Sequence, residues 1–194
     1  MSDSVKGMFE KSGALLKGHF LLRSGLHSPE YWEKALVIQY PEYTEKLCKM
    51  IADRFRTSGA TVVAGPTTPG IILSYETVRQ LGVRSIFAET DEGAGGRVFR
   101  RGFQIAPGEK VLIVDDIMTQ GGSVSEVVEA VKKLQGEVVG IGVLVLRSSK
   151  EPDFGVPFYA CYRTDVITYK PEECPLCKQG VPLTRRGSSK AKSA

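Results

Sequence analysis

Two adjacent carboxylates, Asp115 and Asp116, follow four consecutive apolar residues and precede a short polar loop. The apolar run, residues 111–114, is typical of a strand buried on both faces of a parallel sheet, and open α/β sheets bind ligands at the carboxyl ends of such strands. The loop that follows contains Thr119, Gly121, Gly122 and Ser123. Because unpaired N–H groups at a helix N-terminus attract anions, and glycine permits close approach, the loop is predicted to hold a phosphate.

The residues after this loop predict a helix, since apolar side chains recur at positions 124, 127, 128 and 131. Ser123 is expected to be its N-cap, with Glu126 as the capping-box partner. Two carboxylates beside an anion site require a positively polarised partner. The sequence leaves three open: the hydroxyls of a sugar, a developing cation or a hydrated divalent metal.

The block from Val111 to Ser123 resembles the phosphoribosyl pyrophosphate (PRPP) signature of the type I phosphoribosyltransferases. In that family an apolar strand, two acidic residues and a hydroxyl- and glycine-rich loop lead into a helix. Gln120 departs from the family, which has a small residue, Ser, Thr or Arg there. The resemblance implies PRPP binding by Asp115, Asp116, Ile117, Met118, Thr119, Gln120, Gly121, Gly122 and Ser123. The alternative is an Asp-Asp turn followed by a capped helix.

An N-terminal segment, residues 18–31, is similar to the Gly-x-Phe-x-Leu-x-Ser-Gly-x-x-Ser-Pro pattern that separates orotate phosphoribosyltransferases from the purine enzymes. Arg23 stands where the family has a basic residue, more often lysine, that reaches the substrate, and its planar fork suits a carboxylate. The resemblance also implies that Arg147, which ends the apolar run 138–146, holds the orotate carboxylate, with Thr119 contacting the same ligand. Alternatively, Arg23 and His27 are polar residues of a surface loop, and Arg147 is simply solvated.

A second loop, residues 65–70, resembles the pyrophosphate-binding loop of the family. Thr67, Thr68 and Pro69 replace the usual Ala and the usual Gly or Lys, which removes a positive charge from the site. The hydroxyls of Thr67 and Thr68 are expected to contact PRPP in its place.

Residues 87–102 lie where the family carries its mobile catalytic loop, and the glycines among their charged residues suggest a lid or a hairpin. In orotate enzymes this loop supplies basic residues to the pyrophosphate of the neighbouring subunit. Thr90 stands where such a residue often begins the loop. The resemblance therefore implies catalytic roles for Arg97 and Arg100 and PRPP binding by Arg101. The alternative is a plain glycine-rich hairpin with solvated arginines.

The composition excludes several classes of protein. The chain has 194 residues, of which 42% are hydrophobic and 25% charged, as in an ordinary soluble domain. No apolar run approaches the roughly 18 residues of a membrane span, and the N-terminus lacks the apolar core of a signal peptide, so no membrane partner and a cytoplasmic location are expected. The net charge of +4 is modest, and the arginines are not interleaved with aromatic residues, so a nucleic-acid partner is not expected.

The spacing of Cys174 and Cys177 is that of half a zinc site or of a redox pair. No second such pair follows, and the two histidines, His19 and His27, belong to the N-terminal segment. A structural turn is the default expectation, with metal binding and redox chemistry left open.

Alternating elements predict an α/β fold with a doubly wound parallel sheet. The resemblance implies that this is the type I phosphoribosyltransferase fold, capped by a small N-terminal hood. Predicted helices cover residues 4–16, 41–56, 70–81 and 123–135; predicted strands cover 61–64, 83–88, 111–115 and 138–146, with 31–39 extended. A single domain is expected over residues 1–182, with the hood mainly at 1–40 plus a C-terminal segment and the core at about 41–165. Residues 183–194 are expected to form a basic, disordered tail.

The resemblance implies that the chain transfers the phosphoribosyl group of PRPP to orotate, giving orotidine 5′-monophosphate and pyrophosphate in pyrimidine synthesis. It further implies a homodimer with shared active sites. It also implies Mg²⁺ bound mainly through PRPP, with no side chain as a direct metal ligand. Two alternatives remain: a non-catalytic PRPP-binding regulator of the same fold, and a phosphoribosyltransferase for another base.

Overall fold

The computed structural model describes residues 4–22, 24–165 and 167–186. Its helices are α1 (Val5–Lys11), α2 (Lys34–Ile38), α3 (Pro41–Phe55), α4 (Pro69–Leu81), α5 (Gly122–Lys133) and α6 (Pro175–Lys178), with a 3₁₀ turn at Pro171–Glu173. Its strands are β1 (Leu15–Leu21), β2 (His27–Trp32), β3 (Val62–Pro66), β4 (Arg84–Thr90), β5 (Arg97–Phe99), β6 (Lys110–Met118), β7 (Glu137–Arg147), β8 (Phe158–Thr164) and β9 (Thr184–Arg185).

A six-stranded sheet in the order β5-β4-β3-β6-β7-β8 forms the core. All neighbouring strands are parallel except β4 and β5, which form an antiparallel hairpin. The chain proceeds outward in one direction from β3 and in the other from β6, so the order reverses between these two strands. Ligands of doubly wound sheets bind at such a reversal. The predicted fold class is therefore confirmed.

Apolar side chains cover both faces of this sheet, as the continuous apolar runs predict. One face packs against α3 and α4, and the other packs against α5 through Val124, Val127, Val128 and Val131. Helix α3 approaches β7 closely because Gly140 and Gly142 have no side chains. A Cβ at Gly140 would lie 2.3 Å from Phe55 Cε1, and one at Gly142 would lie 2.5 Å from Ile51 Cγ2.

A separate three-stranded sheet, in the order β2-β1-β9, forms the hood together with α1, α2 and the C-terminal segment. Strands β1 and β2 are antiparallel, while β9 adds only two residue pairs, parallel to β1. A backbone bridge between His27 and Tyr169 also joins the C-terminal segment to β2. Two chain-distant segments therefore build the hood.

Several local predictions for the hood were wrong. The helix predicted over residues 4–16 ends at Lys11, because Gly13 turns the chain with φ of +70° and β1 begins at Leu15. The extended segment predicted over 31–39 is strand only to Trp32 and then helix α2. The disordered tail predicted from residue 183 includes β9, which is ordered by its pairing with β1. The rest of that prediction, residues 187–194, lies outside the described residues.

No helix within the described residues is both long enough and apolar enough to cross a membrane.

Candidate active site

The acidic pair lies on β6 beside the reversal of strand order. Strand β3 pairs with β6 only as far as Ile113, whereas β7 pairs with it to Met118. Asp115 and Asp116 thus follow the point where β6 loses one neighbour, yet their exposed fractions are only 5% and 1%. The strand continues past both residues, three positions beyond the predicted end at residue 115.

Asp115 is held by its own loop. Its Oδ1 accepts a hydrogen bond from the Asp116 N–H at 2.8 Å, and its Oδ2 accepts one from Ser123 Oγ, also at 2.8 Å. The predicted N-cap role of Ser123 was therefore wrong: the cap is Gly121, whose φ of +80° turns the chain into α5. The capping box with Glu126 is also absent, since that carboxylate instead lies 3.4 Å from Arg97 Nε.

Lys34 supplies the cation beside the acidic pair. Its Nζ lies 3.3 Å from Asp116 Oδ1 and 3.1 Å from Oδ2, and the Ile117 N–H also donates to Oδ1. No motif marks Lys34 in the sequence, because it lies in α2, 82 residues before its partner. The only hint in the sequence that a cation lies here was the acidic pair itself, since two buried carboxylates need a positive neighbour.

Burial and mutual repulsion shift the titration of these groups. Burial, together with the charge of Asp116, raises the pKa of Asp115 to about 6. Burial also raises the pKa of Asp116, although Lys34 opposes the rise. Burial lowers the pKa of Lys34, but the charge and hydrogen bond of Asp116 outweigh it, so the net shift is upward. Lys34 therefore favours the ionised form of the pair.

The predicted phosphate loop joins β6 to α5 and is open to solvent. Met118 is buried, Ile117 is partly buried, and Thr119 and Gln120 are exposed. The loop enters α5 at Gly122, where the first N–H groups of the helix have no partner within it. The remaining loop residue, Gly121, packs closely, since a Cβ there would lie 2.9 Å from Phe154 Cζ. The predicted anion loop is thus present as a surface feature.

The second loop lies on the other side of the reversal, between β3 and α4. Thr67 donates its N–H to Ala88 O at 3.0 Å, and the exposed Thr68 occupies the N-cap position of α4 without a side-chain cap. Helix and strand meet closely here, because a Cβ on Gly65 would lie 2.3 Å from Gly70 O. The two loops therefore follow the carboxyl ends of adjacent strands, β3 and β6, on either side of the reversal.

Arg97 connects the hairpin to this second loop. It begins β5, and its Nη1 donates to Thr67 Oγ1 at 2.9 Å and to Thr67 O at 3.3 Å. The side chain is 13% exposed. Arg100 and Arg101 are more exposed and pair with Asp91 and Glu89 of the same hairpin. The structure thus separates one partly buried arginine beside the loop from two surface arginines.

Arg147 ends β7 beside the phosphate loop. Met118 is in register with Leu146, so Thr119, the first residue after β6, follows next to Arg147, which still pairs with Thr164 of β8. Arg147 is 9% exposed and its guanidinium lies 5.9 Å from the Trp32 ring centroid. Within the described residues it has no carboxylate partner at ion-pair distance, and its Nε has no hydrogen-bond partner. A buried, unpaired guanidinium is suited to an anionic ligand.

Arg23, the other residue expected at the orotate carboxylate, lies outside the described residues. The strands on either side of it, β1 and β2, belong to the hood.

Comparisons with known proteins agree with this geometry. The family model for the phosphoribosyl transferase domain matches residues 39–166. An orotate phosphoribosyltransferase of Pelotomaculum thermopropionicum is 52% identical, over 97% of this chain and 98% of its own length. Another, from Chlorobaculum parvum, is 48% identical over 96% of each chain.

Solved structures share the fold. The orotate phosphoribosyltransferase of Aeropyrum pernix superposes with a TM-score of 0.68 at 20% identity, covering 82% of this chain and 92% of its own. The adenine phosphoribosyltransferase of Thermoanaerobacter pseudethanolicus gives a TM-score of 0.59 at 16% identity, covering 70% and 88%.

Proposed function

This chain belongs to the orotate phosphoribosyltransferase family, and we propose that it transfers the phosphoribosyl group of PRPP to orotate in pyrimidine biosynthesis, giving orotidine 5′-monophosphate and pyrophosphate. One structural observation carries the proposal. A buried acidic pair stands directly before an exposed glycine-containing loop at the reversal of strand order, and the arginine that ends the next strand has no ion-pair partner among the described residues.

Phosphoribosyl transfer requires that the substrates be positioned and that the charges that develop during the reaction be stabilised. The bond from the anomeric carbon to pyrophosphate breaks, a bond to the orotate ring nitrogen forms, and that nitrogen loses its proton. Positive charge grows on the ribose as negative charge grows on the leaving pyrophosphate. Asp115 and Asp116 would orient the ribose hydroxyls and stabilise the ring charge, while Lys34 keeps the pair ionised.

The loops would divide the phosphates between them. Thr119 and the N–H groups from Gln120 to Ser123 would hold the 5′-phosphate at the start of α5. Thr67 and Thr68, with Arg97 behind them, would face the pyrophosphate. Arg100 and Arg101 are then left for the pyrophosphate of a neighbouring subunit.

Arg147 would receive the orotate carboxylate beside Thr119. Burial removes water from the guanidinium and lowers its pKa, and no carboxylate among the described residues compensates at ion-pair distance. A carboxylate ligand restores two charge-assisted hydrogen bonds. Arg23 is proposed for the same ligand from the hood side.

The residues fit a Mg²⁺ ion that is held mainly by PRPP. In the described part of the chain no third His, Cys, Asp or Glu joins the acidic pair as a metal-site group, and Asp116 is already engaged by Lys34. Such a donor set suits an ion that keeps several waters and binds phosphate oxygens. When bound, Mg²⁺ would neutralise the pyrophosphate.

A homodimer is part of the proposal. Ile72 and Tyr75 lie three residues apart on α4 and are 47% and 66% exposed, beside the second loop. A second copy covering this face would bring its hairpin arginines towards that loop. Light scattering would give the mass, and mixing inactive Asp116→Asn with inactive Arg100→Ala should restore activity if sites are shared.

A cytoplasmic location is also proposed. All four cysteines are free, which suits a reducing compartment.

The deciding experiment follows the loss of orotate absorbance with PRPP and Mg²⁺. Turnover with orotate, and none with adenine or hypoxanthine, is the expected result. Binding of PRPP by calorimetry with no turnover at high protein concentration would instead indicate a non-catalytic regulator. Turnover with a purine base alone would assign a different substrate.

A further inference from the structure

Four metal-ligating side chains meet in the hood, away from the acidic pair in the fold. They are His19 on β1, His27 on β2, Cys174 after the 3₁₀ turn and Cys177 on α6. Their ligand atoms all lie within 4.8 Å of one another. The sequence hides this group, because the cysteines follow the histidines by about 150 residues.

Three separations within this cluster lie close to the edges of a zinc tetrahedron, while the two histidine nitrogens are closer together than such an edge. Bonds of about 2.3 Å to sulfur and about 2.0–2.1 Å to nitrogen place neighbouring ligands about 3.3–3.8 Å apart. His19 Nε2 lies 3.5 Å from Cys174 Sγ and 3.7 Å from Cys177 Sγ, and His27 Nδ1 lies 3.3 Å from Cys177 Sγ. The two nitrogens are 2.9 Å apart, and the cysteines are not joined in a disulfide.

A hydrogen bond behind the cluster orients one of the ligands. His19 Nδ1 lies 2.7 Å from Val181 O, so this nitrogen carries the proton and donates it to the carbonyl. In the neutral imidazole this leaves the other nitrogen, Nε2, with a free lone pair, and Nε2 lies within 3.7 Å of both cysteine sulfurs. Zinc-bound histidines have this same arrangement, with the second nitrogen donating to a carbonyl or carboxylate.

Burial indicates that these residues have a function beyond packing. His19, His27 and Cys174 are 2%, 5% and 0% exposed, whereas Cys177 lies at the surface. The segment that carries the cysteines has little regular structure: a three-residue turn, a four-residue helix and a two-residue strand. Small units of this kind are commonly held by a metal.

We propose that His19, His27, Cys174 and Cys177 bind one structural Zn²⁺ ion, which fastens the C-terminal segment to the β1–β2 hairpin. The four protein ligands fill a tetrahedral zinc ion and leave no position for substrate, so the site is structural. The default expectation of a plain turn at Cys174–Cys177 is thereby replaced.

The first test measures metal in the full-length chain, purified without a polyhistidine tag and dialysed in buffer with trace zinc. Mass spectrometry of the metal should find about one zinc per chain. Chelation should lower the Tm by on the order of 10 °C, and restored zinc should reverse the loss. Less than about one-tenth zinc per chain in folded protein would overturn the proposal, as would an intramolecular disulfide in metal-free protein.

Cobalt distinguishes this site from adventitious binding. The chelated wild-type chain, loaded with Co²⁺, should show the visible bands of a tetrahedral ion and thiolate charge-transfer absorption. Cys177 lies at the surface, so Cys177→Ser should leave the fold intact and weaken zinc binding at least about tenfold. The matched control is Cys161→Ser. The Cys161 thiol donates to Leu47 O outside the cluster, so this substitution should leave the metal content unchanged. Unchanged zinc in Cys174→Ser/Cys177→Ser, or an octahedral cobalt spectrum, would refute the assignment.

Discussion

Arg147 gives the sharpest prediction for substrate recognition, because its side chain is buried at the end of β7 and has no ion-pair partner in the described part of the chain. A charge-assisted hydrogen-bonded contact contributes about 1.5–3 kcal/mol, and about 1.4 kcal/mol corresponds to a factor of ten in binding. Arg147→Ala should therefore raise the KM for orotate about 10- to 150-fold, while the KM for PRPP changes much less.

Removing the charge of Arg147 should lower activity but should not lower thermal stability. Burial lowers the pKa of Arg147, with Glu30 and Tyr31 only partly offsetting it, so the folded chain is penalised for holding this charge. Arg147→Met keeps the packing against Trp32 and removes the charge. Its Tm should equal or exceed that of the wild type, even though it binds orotate poorly.

The assay is initial-rate kinetics with each substrate varied in turn, alongside thermal unfolding. Arg163→Ala is a matched control on the neighbouring strand β8, where the arginine is half exposed and pairs with Glu151. That variant should keep both KM values. Equal increases in the two KM values for Arg147→Ala would refute the assignment of this residue to the carboxylate of orotate.

Three further predictions concern the acidic pair and the second loop. Asp116→Asn should abolish turnover with a nearly unchanged Tm in thermal unfolding, because the change also relieves repulsion with Asp115; a collapse of folding would make the pair structural. The kcat/KM should fall as pH drops below about 6, where Asp115 takes up a proton, and Lys34→Met should move this limb to higher pH. An unmoved limb would show that Lys34 does not control the pair. Gly65→Ala should destabilise the chain by about 1–3 kcal/mol in denaturant unfolding, since the new Cβ would lie 2.3 Å from Gly70 O. The control Gly93→Ala, whose Cβ would lie 3.7 Å from the nearest atom, should not destabilise it. Equal effects of the two substitutions would contradict the close packing at Gly65.

The core of the fold could be predicted because its elements carry continuous local signals. Strands β3, β4, β6 and β7 and helices α3, α4 and α5 lie close to their predicted ranges, since apolar runs and helical spacing mark them directly. Strand β8 (Phe158–Thr164) was missed although its first five residues are hydrophobic; it lies at the edge of the sheet, where most of these side chains are only partly buried. Strand β1 was missed because lysine, glycine and histidine interrupt it.

The parts of the site that escaped prediction are those formed by distant segments. The phosphate loop is contiguous in the chain, so its position followed from the sequence. The role of Ser123 could not be predicted in the same way. Its hydroxyl could either cap the helix or donate a hydrogen bond to Asp115, and only the folded structure decides between the two. The Lys34–Asp116 ion pair and the His–Cys cluster each join residues that no local pattern connects.

These contacts between distant segments also connect the hood to the candidate active site. Lys34 and Trp32 come from the hood side, and they contact Asp116 and Arg147 of the core sheet. The ionisation of the acidic pair and the packing of Arg147 thus both depend on where the hood lies. Since β9 supplies only two residue pairs, the His27–Tyr169 bridge and the proposed zinc site help to hold the C-terminal segment against the rest of the hood. Removal of zinc should therefore act on catalysis through the position of Lys34, without any contact between the metal and the substrates.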